Sequence, residues 1–415
     1  MIVRRNCTFL YRSASVTDCK PQATALVFAK LATSPRLSAL LPAVLLSLTS
    51  ALTACAGRPA KSSQQPAGSG ALAAVISQLD AKVPSLLAEY QVASVGVALI
   101  EDGRVTVTNV YGQQGPGVPA SSATLFNLAS LTKPVTAETM LRLASAGALS
   151  LDEPMARYWT DPDIAADPRR ERLTARLALA HQTGFPNWRD RSPGGRLAFT
   201  SDPGTTFGYS GEGYDYVGRF AEKRLGRSFE ALAQEYVFGP IGMKSTSYSA
   251  REWMRGRLAI PLDSAGRWAE PQVNDSAHWG GANNLMTTVG DYAAFVVSVM
   301  NGDGLTKAMA SERLRPASGP QPPFMCKIEP AALCPRALNF ALGWVRLDYE
   351  RGPVMLFVGL NDRPGGERTV VYFEPQRRRG VVVLTSGRNG QRLFLDVLDI
   401  LDPGSPVTAF LRARG

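Results

Sequence analysis

A serine and a lysine stand three residues apart at the predicted start of a helix, in "FNLASLTKPVT" at residues 126–136. Residues three apart on a helix share a face, so the Lys133 amine is expected within reach of the Ser130 hydroxyl. An amine beside a hydroxyl either stabilises the ionised oxygen or, when neutral, accepts its proton. The free N–H groups of a first helical turn favour the same negative charge. Ser130 and Lys133 are therefore candidates for a nucleophile and its activator.

The same stretch also has an ordinary structural interpretation. Serine is a common N-cap residue, and a lysine in the first turn commonly lies on the surface. Pro134 fits either interpretation, because the first turn has no partner for its missing N–H. A bare Ser-x-x-Lys pattern is expected by chance about 0.7 times in a chain of this composition. The pair needs support from elsewhere in the sequence.

Other kinds of site find little support. The folded part contains only His181, His278 and two cysteines as soft metal ligands, too few for a zinc site built on His and Cys. No Walker or dinucleotide glycine pattern lies between a strand and a helix. "GYSGEG" at 208–213 fails as a nucleophile elbow, because Glu212 stands where glycine is required. We expect neither a metal nor a cofactor.

The formal net charge of +10 does not indicate a nucleic-acid partner. Residues 1–54 hold six Lys or Arg and one acid, so the remaining chain carries only +5. Its densest basic run, Arg377–Arg379, stands where a turn between two strands is predicted. Scattered charge of this kind is typical of a solvated surface.

Residues 1–54 are typical of a targeting segment. Their apolar stretch, residues 37–52, is too short for a comfortable transmembrane helix. "LTAC" at 52–55 resembles the lipobox of bacterial lipoproteins, which implies cleavage before Cys55 and lipidation of that residue. The prediction is a protein on the periplasmic side of the cell envelope, anchored to a membrane, and to the outer one if the source has two. Ordinary secretory cleavage after Ala56 is the alternative.

A linker and one domain follow. Residues 55–70 are rich in Pro, Gly, Ser and Gln, as flexible linkers are. The domain is predicted at 71–405, with a sheet region at about 71–124 and 338–405 and a helical region at about 125–337. Helices are predicted near 71–90, 132–146, 213–225, 229–237, 289–300 and 391–401, and β runs at 92–100, 104–112, 340–349, 353–360, 367–375 and 379–387. This order predicts an α/β (α+β) fold, in which an antiparallel sheet formed from both termini is flanked by helices and interrupted by a helical insertion.

Four stretches carry a resemblance to a known family. They are "FNLASLTKPVTAETMLRLASAGALSLDEPM" (126–155), "LTARLALAHQTGFPNW" (173–188), "DPGTTFGYSGEGYDYVGRFAEKRLG" (202–226) and "VFGPIGMKSTSY" (237–248). In order and spacing they resemble the serine β-lactamase-related family, which includes class C β-lactamases, penicillin-binding DD-peptidases and related esterases. The resemblance covers roughly residues 71–401. It implies a β-lactamase/DD-peptidase-like fold.

The resemblance also implies roles for individual residues. Ser130 would be the acylated nucleophile, Lys133 its partner, and Tyr209 the tyrosine that accepts the serine proton and passes it to the leaving group. A phenol is a poor base at neutral pH, so Tyr209 needs the Lys133 cation nearby. The oxyanion hole would use the N–H of Ser130 and one near Asp362 on a strand of the sheet.

Two positions depart from the family pattern. Gly211 stands where the second motif usually has asparagine, and Gly359-Leu360-Asn361 aligns with the Lys/His-x-Gly motif without any basic residue. Asn361 or Arg363 could replace the lost donor. Gly359, Asn361 and Asp362 are the predicted substrate-binding and oxyanion positions, and recognition of an anionic carboxylate is in doubt.

Three further residues have competing interpretations. His181 is a possible base in a Ser/His scheme, but it ends a helical run before a glycine, which favours a structural role. Cys326 and Cys334 flank a Pro-rich loop of an exported protein, so a disulfide is predicted, with two free thiols as the alternative.

The predicted function is that of an exported serine hydrolase that forms an acyl-enzyme on a small-molecule or peptide substrate, with esterase-like activity favoured. A peptidoglycan DD-peptidase or β-lactamase is the second hypothesis. The third is a non-catalytic envelope protein that binds a ligand with the same fold, and the altered third motif is the feature that supports it. The sequence makes no prediction of oligomeric state.

Overall fold

The computed structural model describes residues 69–318, 326 and 328–414. The predicted targeting segment, the lipidation site Cys55 and all but the last two residues of the predicted linker lie outside the described residues.

Ten α-helices and ten strands are described, together with short 3-10 and π-helical segments. The helices are α1 (Ser69–Tyr90), α2 (Thr132–Ser145), α3 (Ala175–Leu179), α4 (Gly211–Leu225), α5 (Phe229–Ala233), α6 (Gly239–Ile241), α7 (Val289–Asn301), α8 (Lys307–Arg313), α9 (Gly390–Leu401) and α10 (Pro406–Arg412). The strands are β1 (Ser94–Glu101), β2 (Arg104–Gly115), β3 (Val118–Pro119), β4 (Phe126–Asn127), β5 (Met286–Thr287), β6 (Ala337–Phe340), β7 (Val345–Tyr349), β8 (Gly352–Leu360), β9 (Arg368–Glu374) and β10 (Arg379–Thr385).

Eight strands form one antiparallel sheet in the order β3-β2-β1-β10-β9-β8-β7-β6. Strand β1, from the N-terminal part, pairs with β10 from the C-terminal part, so both ends of the domain build the same sheet. Asp102 and Gly103 join β1 to β2 with φ angles of 51° and 71°. Such angles are those of a two-residue hairpin turn, for which Asp-Gly is well suited.

Both faces of the sheet are covered. In β1, Val95, Val97 and Leu99 join the core formed with α1, α9 and α10. The alternate residues Ala98 and Ile100 join the core formed with the helical region, as the two-residue period of a strand requires. Helix α1 is long and apolar enough to cross a membrane by length and composition, but its Leu79, Val83 and Leu87 are buried in the first of these cores.

The predicted architecture, a sheet from both termini with a helical insertion, is confirmed. The prediction of one continuous strand at 340–349 is wrong. Its residues are divided between β6 and β7, because the chain turns at 341–344, where Gly343 has a φ of +87°. Helix α10, whose Val407 and Phe410 are buried, was not predicted and extends the structured chain beyond residue 405.

Candidate active site

The predicted nucleophile lies in a strained turn just before α2. Ser130 is the middle residue of the short 3-10 helix Ala129–Leu131. Ala129 has a φ of +48°, a left-handed conformation that residues with a side chain seldom adopt. Its N–H donates to Asn127 Oδ1 at 2.8 Å, and its carbonyl accepts from Thr132 Oγ1 at 2.7 Å. Strain held in place by neighbouring contacts is typical of functional sites.

The exposure of this segment separates the two interpretations of Ser130. Of residues 124–143, Ser130 alone is not buried. The capping positions are Leu128 and Leu131, neither of which makes a side-chain cap hydrogen bond. Lys133 is 0% exposed. The interpretation as an N-cap serine with a surface lysine is therefore wrong, and a single reactive hydroxyl faces outward from a buried segment.

The Lys133 amine is held between two oxygen atoms. Its Nζ lies 3.2 Å from Ser130 Oγ and donates to the carbonyl of Ala282 at 2.9 Å. Among the described residues, no carboxylate lies within 4.0 Å of this amine. Lys133 is thus placed by a hydroxyl and a carbonyl, the arrangement needed to exchange a proton with the serine.

Tyr209 lies beside the same amine. Lys133 Nζ is 4.8 Å from the centre of the Tyr209 ring, and Tyr209 and Ser130 line one cavity. Within the described residues, the Tyr209 hydroxyl makes no hydrogen bond. The structure therefore brings the three predicted catalytic residues together, with the lysine over the tyrosine ring.

His181 supports Tyr209 rather than Ser130. Its buried ring stacks on the Tyr209 ring, with centres 4.5 Å apart, and its Nδ1 accepts the Ser210 N–H at 3.1 Å. Burial, and then the Lys133 charge, hold the pKa of His181 well below its usual value, so the ring is neutral. Its Nε2 has no partner among the described residues. The predicted structural role agrees with this geometry, although the imidazole accepts an N–H instead of capping a carbonyl.

The cavity at Ser130 has a volume of about 850 Å³. Its lining combines aromatic and apolar side chains with polar and charged ones. The apolar residues include Trp188, Tyr209, Val345, Leu356, Phe357, Val358 and Leu360, and the polar and charged residues include Asn187, Arg189, Arg191, Asn283, Asn361, Asp362 and Arg363. The apolar part of this lining suits an uncharged acyl group.

Gly211 leaves no room for the amide that the family usually has there. A Cβ at Gly211 would lie 2.5 Å from the Trp188 ring. The Gly211 N–H donates to Asn187 Oδ1 at 2.9 Å, which fixes the backbone in this position. Trp188 therefore takes the space of the missing side chain.

Strand β8 runs directly behind the nucleophile turn. A Cβ at Gly359 would lie 2.6 Å from the Leu128 carbonyl and 3.2 Å from Ala129 Cβ, so the close approach requires glycine. Strand β7 pairs with β8 only as far as Leu356. Within the described residues no strand covers that edge at 357–360, so its backbone groups are open to the cavity.

Of the two predicted replacement donors beyond Gly359, Asn361 is occupied and Arg363 lines the cavity. Asn361 Nδ2 donates to Glu367 Oε2 at 2.9 Å, so its amide is held internally. Asp362 is exposed and accepts from Arg368 at 3.1 Å and Arg388 at 3.0 Å. Burial raises the pKa of Glu367 to about 7.

Lys133 also contacts a segment that was not predicted from the sequence to lie at the site. We call residues 280–285 ("GGANNL") the strap. Its Gly281 carbonyl accepts from Thr136 Oγ1 at 2.7 Å, its Leu285 N–H donates to Thr132 Oγ1 at 3.1 Å, and its Ala282 carbonyl accepts from Lys133. The double glycine followed by two asparagines is a loop signal, but nothing in it indicates contact with α2.

The remaining singled-out residues lie elsewhere. Cys326 and Cys334 are joined in a disulfide with Cα atoms 5.7 Å apart. His278 is exposed beside Asp275, and Trp279 stacks on Phe229 with ring centres 5.0 Å apart. In residues 69–318, 326 and 328–414, no group of three or more His, Cys, Asp or Glu side chains is arranged to hold a metal ion.

Comparison with known proteins places this geometry in a family. The Beta-lactamase family model matches residues 75–401. The D-alanyl-D-alanine-carboxypeptidase/endopeptidase AmpH of Escherichia coli is 23% identical over 317 residues, which span 72% of this chain and 80% of that protein. Esterase EstB of Burkholderia gladioli is 27% identical over 219 residues, 46% of this chain and 55% of that one.

Solved structures share the fold. EstCE1, described as a hydrolase with promiscuous acyltransferase activity, superposes with a TM-score of 0.67 at 18% identity, covering 80% of this chain and 100% of that chain. The family match covers most of the described domain and includes the segment with Ser130 and Lys133. The chain belongs to the beta-lactamase family of serine hydrolases.

Proposed function

We propose that this protein is a serine hydrolase that cleaves carboxylic esters through an acyl-enzyme on Ser130. The observation that carries the proposal is the partly exposed Ser130 hydroxyl 3.2 Å from a fully buried lysine amine. A lysine without a carboxylate partner is costly to bury. A role in proton exchange with the serine accounts for its position.

The reaction follows from the contacts. Ser130 Oγ attacks the ester carbonyl, and its proton passes to the Lys133 and Tyr209 pair. The carbonyl oxygen becomes an oxyanion that would be stabilised by the Ser130 N–H and by the N–H of Leu360, at the end of β8, or of Asp362 just beyond it. The Asn361 N–H is not available, because it donates to the Glu367 carbonyl at 3.1 Å. The tetrahedral intermediate collapses, the C–O bond breaks, and the alcohol leaves with the proton. Water then attacks the acyl-enzyme and gives a proton to the same pair, the bond between the acyl carbon and Ser130 Oγ breaks, the proton returns to Oγ, and the carboxylic acid leaves.

The preference for esters is supported by the two altered anchors. Trp188 excludes any side chain at Gly211. The third motif ends in glycine, and the close approach of β8 to the nucleophile turn requires glycine at Gly359. This favours Phe357-Val358-Gly359 as the register of the motif, in place of the predicted Gly359-Leu360-Asn361. An aromatic residue then stands at the usually basic position. An ester needs neither a donor for an amide nor a cation for a carboxylate.

A peptidase or β-lactamase activity is the second candidate. Asn187 and Asn283 line the cavity and supply amide groups from other parts of the chain. The likeness to AmpH is consistent with this alternative.

Labelling of the purified full-length protein tests these proposals. A fluorophosphonate should label wild type and the Ser264→Ala control, which lacks an exposed surface serine, but not Ser130→Ala. Labelling by the fluorophosphonate without labelling by a fluorescent penicillin supports the esterase proposal. Penicillin acylation of Ser130 supports the second candidate, and labelling by neither probe rejects catalysis.

Export and lipidation at Cys55 are part of the same proposal. The support is the sequence pattern at 52–55, because those residues lie outside the described ranges. Metabolic labelling with a fatty acid should mark wild type and not Cys55→Ser, and an unlabelled mature chain would reject the anchor.

A further inference from the structure

Asp215 is a carboxylate beneath the strap, outside the cavity at Ser130. It lies on α4, one residue after Tyr214, and accepts the Ala282 N–H at 3.1 Å. The Gly281 N–H is close enough to oppose the rise in the pKa of this carboxyl. Asp215 lines a separate cavity of about 220 Å³ and does not line the cavity at Ser130.

The carboxylate fixes the peptide that orients the catalytic amine. The peptide between Gly281 and Ala282 is held on both sides, its N–H by Asp215 and its carbonyl by Thr136 Oγ1 at 2.7 Å. The next carbonyl, that of Ala282, accepts from Lys133 Nζ at 2.9 Å. A displacement of this peptide therefore moves one of the two oxygens that hold the amine.

We propose that Asp215 is a positioning residue that sets the place of Lys133 through the strap, and that protonation of Asp215 releases this hold. The inference rests on the proposed function, since it assigns Lys133 to acyl transfer. A protonated carboxyl is a weaker acceptor than a carboxylate, so protonation weakens its hold on the Ala282 N–H.

The surroundings of Asp215 place its protonation near neutral pH. Burial, and then the negative charge of Glu212, raise the pKa of Asp215 to about 6, while Lys133 and the strap N–H groups oppose the rise. Asp161, Arg189 and Arg219 share its cavity. Arg189 forms an ion pair with each of two acids: its Nη2 lies 2.8 Å from Glu212 Oε2 and 2.9 Å from Asp161 Oδ2.

Kinetics of the full-length protein on p-nitrophenyl esters test the proposal, with Asp215→Asn as the variant. A shift of about 1 Å in a catalytic group can cost on the order of 100-fold in rate. We expect kcat and the rate of fluorophosphonate labelling to fall about 10- to 100-fold, with KM changed less than about threefold. The loss of activity expected for wild type below pH 6 should be absent from the variant.

The matched control is Asp291→Asn, because Asp291 is another partly buried acid with a raised pKa but binds Ser245 and Thr246 instead of the strap. Unchanged kcat and an unchanged pH profile in Asp215→Asn would overturn the proposal.

A spectroscopic measurement separates this proposal from the proposed function. In wild type, the amide resonance of Ala282 should titrate with a midpoint near pH 6, and in Asp215→Asn it should not. This readout requires no turnover and needs only wild type if the variant does not fold. A wild type that neither hydrolyses esters nor reacts with the fluorophosphonate rejects the proposed function, whereas an Ala282 resonance that is constant between pH 5 and 8 rejects the role of Asp215.

Discussion

Replacing Asp215 by asparagine is expected to stabilise the fold at neutral pH. An unfolded aspartate has a pKa of 3.8, and burial together with Glu212 raises it to about 6 in the folded protein. Between these pH values the folded state binds more protons than the unfolded state. The contribution of Asp215 to stability is therefore complete below pH 3.8 and is lost as the pH rises through about 6. Asparagine cannot ionise, so the variant avoids this loss.

The size of the effect follows from the shift in pKa. About two pKa units at about 1.4 kcal/mol each give an upper value of about 3 kcal/mol. Asp215 keeps some exposed surface in its cavity, and water there weakens the effect, so we expect a gain of about 1–3 kcal/mol at pH 7.5.

Urea unfolding between pH 4 and 8 measures this gain. The unfolding free energies of wild type and Asp215→Asn should nearly coincide at pH 4 and separate as the pH rises. Asp263→Asn is a control of opposite sign, because N–H and guanidinium donors of Arg267 hold the pKa of Asp263 below its usual value. A variant less stable than wild type at pH 7.5, or a difference independent of pH, would refute the reasoning.

Other variants test the remaining contacts. Lys133→Met should keep or raise the urea midpoint, because it removes a buried cation, yet it should slow fluorophosphonate labelling on the order of 100-fold or more. The control variant Lys223→Met, at an exposed site, should label normally. Rapid labelling of Lys133→Met would remove the lysine from the mechanism. Gly211→Ala should cost about 1–3 kcal/mol of unfolding free energy in wild type and much less in a Trp188→Ala background. Additive costs in that double-mutant cycle would show that the indole does not occupy the space. Gly359→Ala should lower both stability and labelling, because a Cβ would push against the nucleophile turn, and normal labelling would contradict that packing.

Local signals in the sequence were sufficient for much of the fold. The Asp102-Gly103 turn lies between two β-rich runs, and its chemistry specifies the hairpin without help from distant residues. Helix α2 was predicted within one residue of its end, since its apolar pattern and Pro134 at the first turn are local features. The spacing of Ser130 and Lys133 likewise fixed their mutual reach, because both lie within one turn.

Contacts between segments that are far apart in the sequence could not be predicted from it. The strap approaches α2 from about 150 residues away, and its sequence shows a loop and nothing more. Gly211 looked like a lost anchor, and only the structure shows that Trp188 fills its place. No motif in the sequence indicates Asp215, because its partner is a backbone N–H whose position the sequence does not encode locally.

The catalytic pair and the substrate anchors depend on different kinds of contact, and this explains how one can persist when the other changes. Lys133 is held by the Ala282 carbonyl and, through the strap, by Thr136 and Asp215, none of which needs to touch a substrate. The family usually has an asparagine side chain at the position of Gly211, and here the Trp188 indole occupies that space. The choice among esters, amides and β-lactams therefore depends on Trp188 and on the open edge of β8. Substitution of the Trp188 or Leu360 side chain, both of which line the cavity, should redirect specificity while fluorophosphonate labelling of the serine continues.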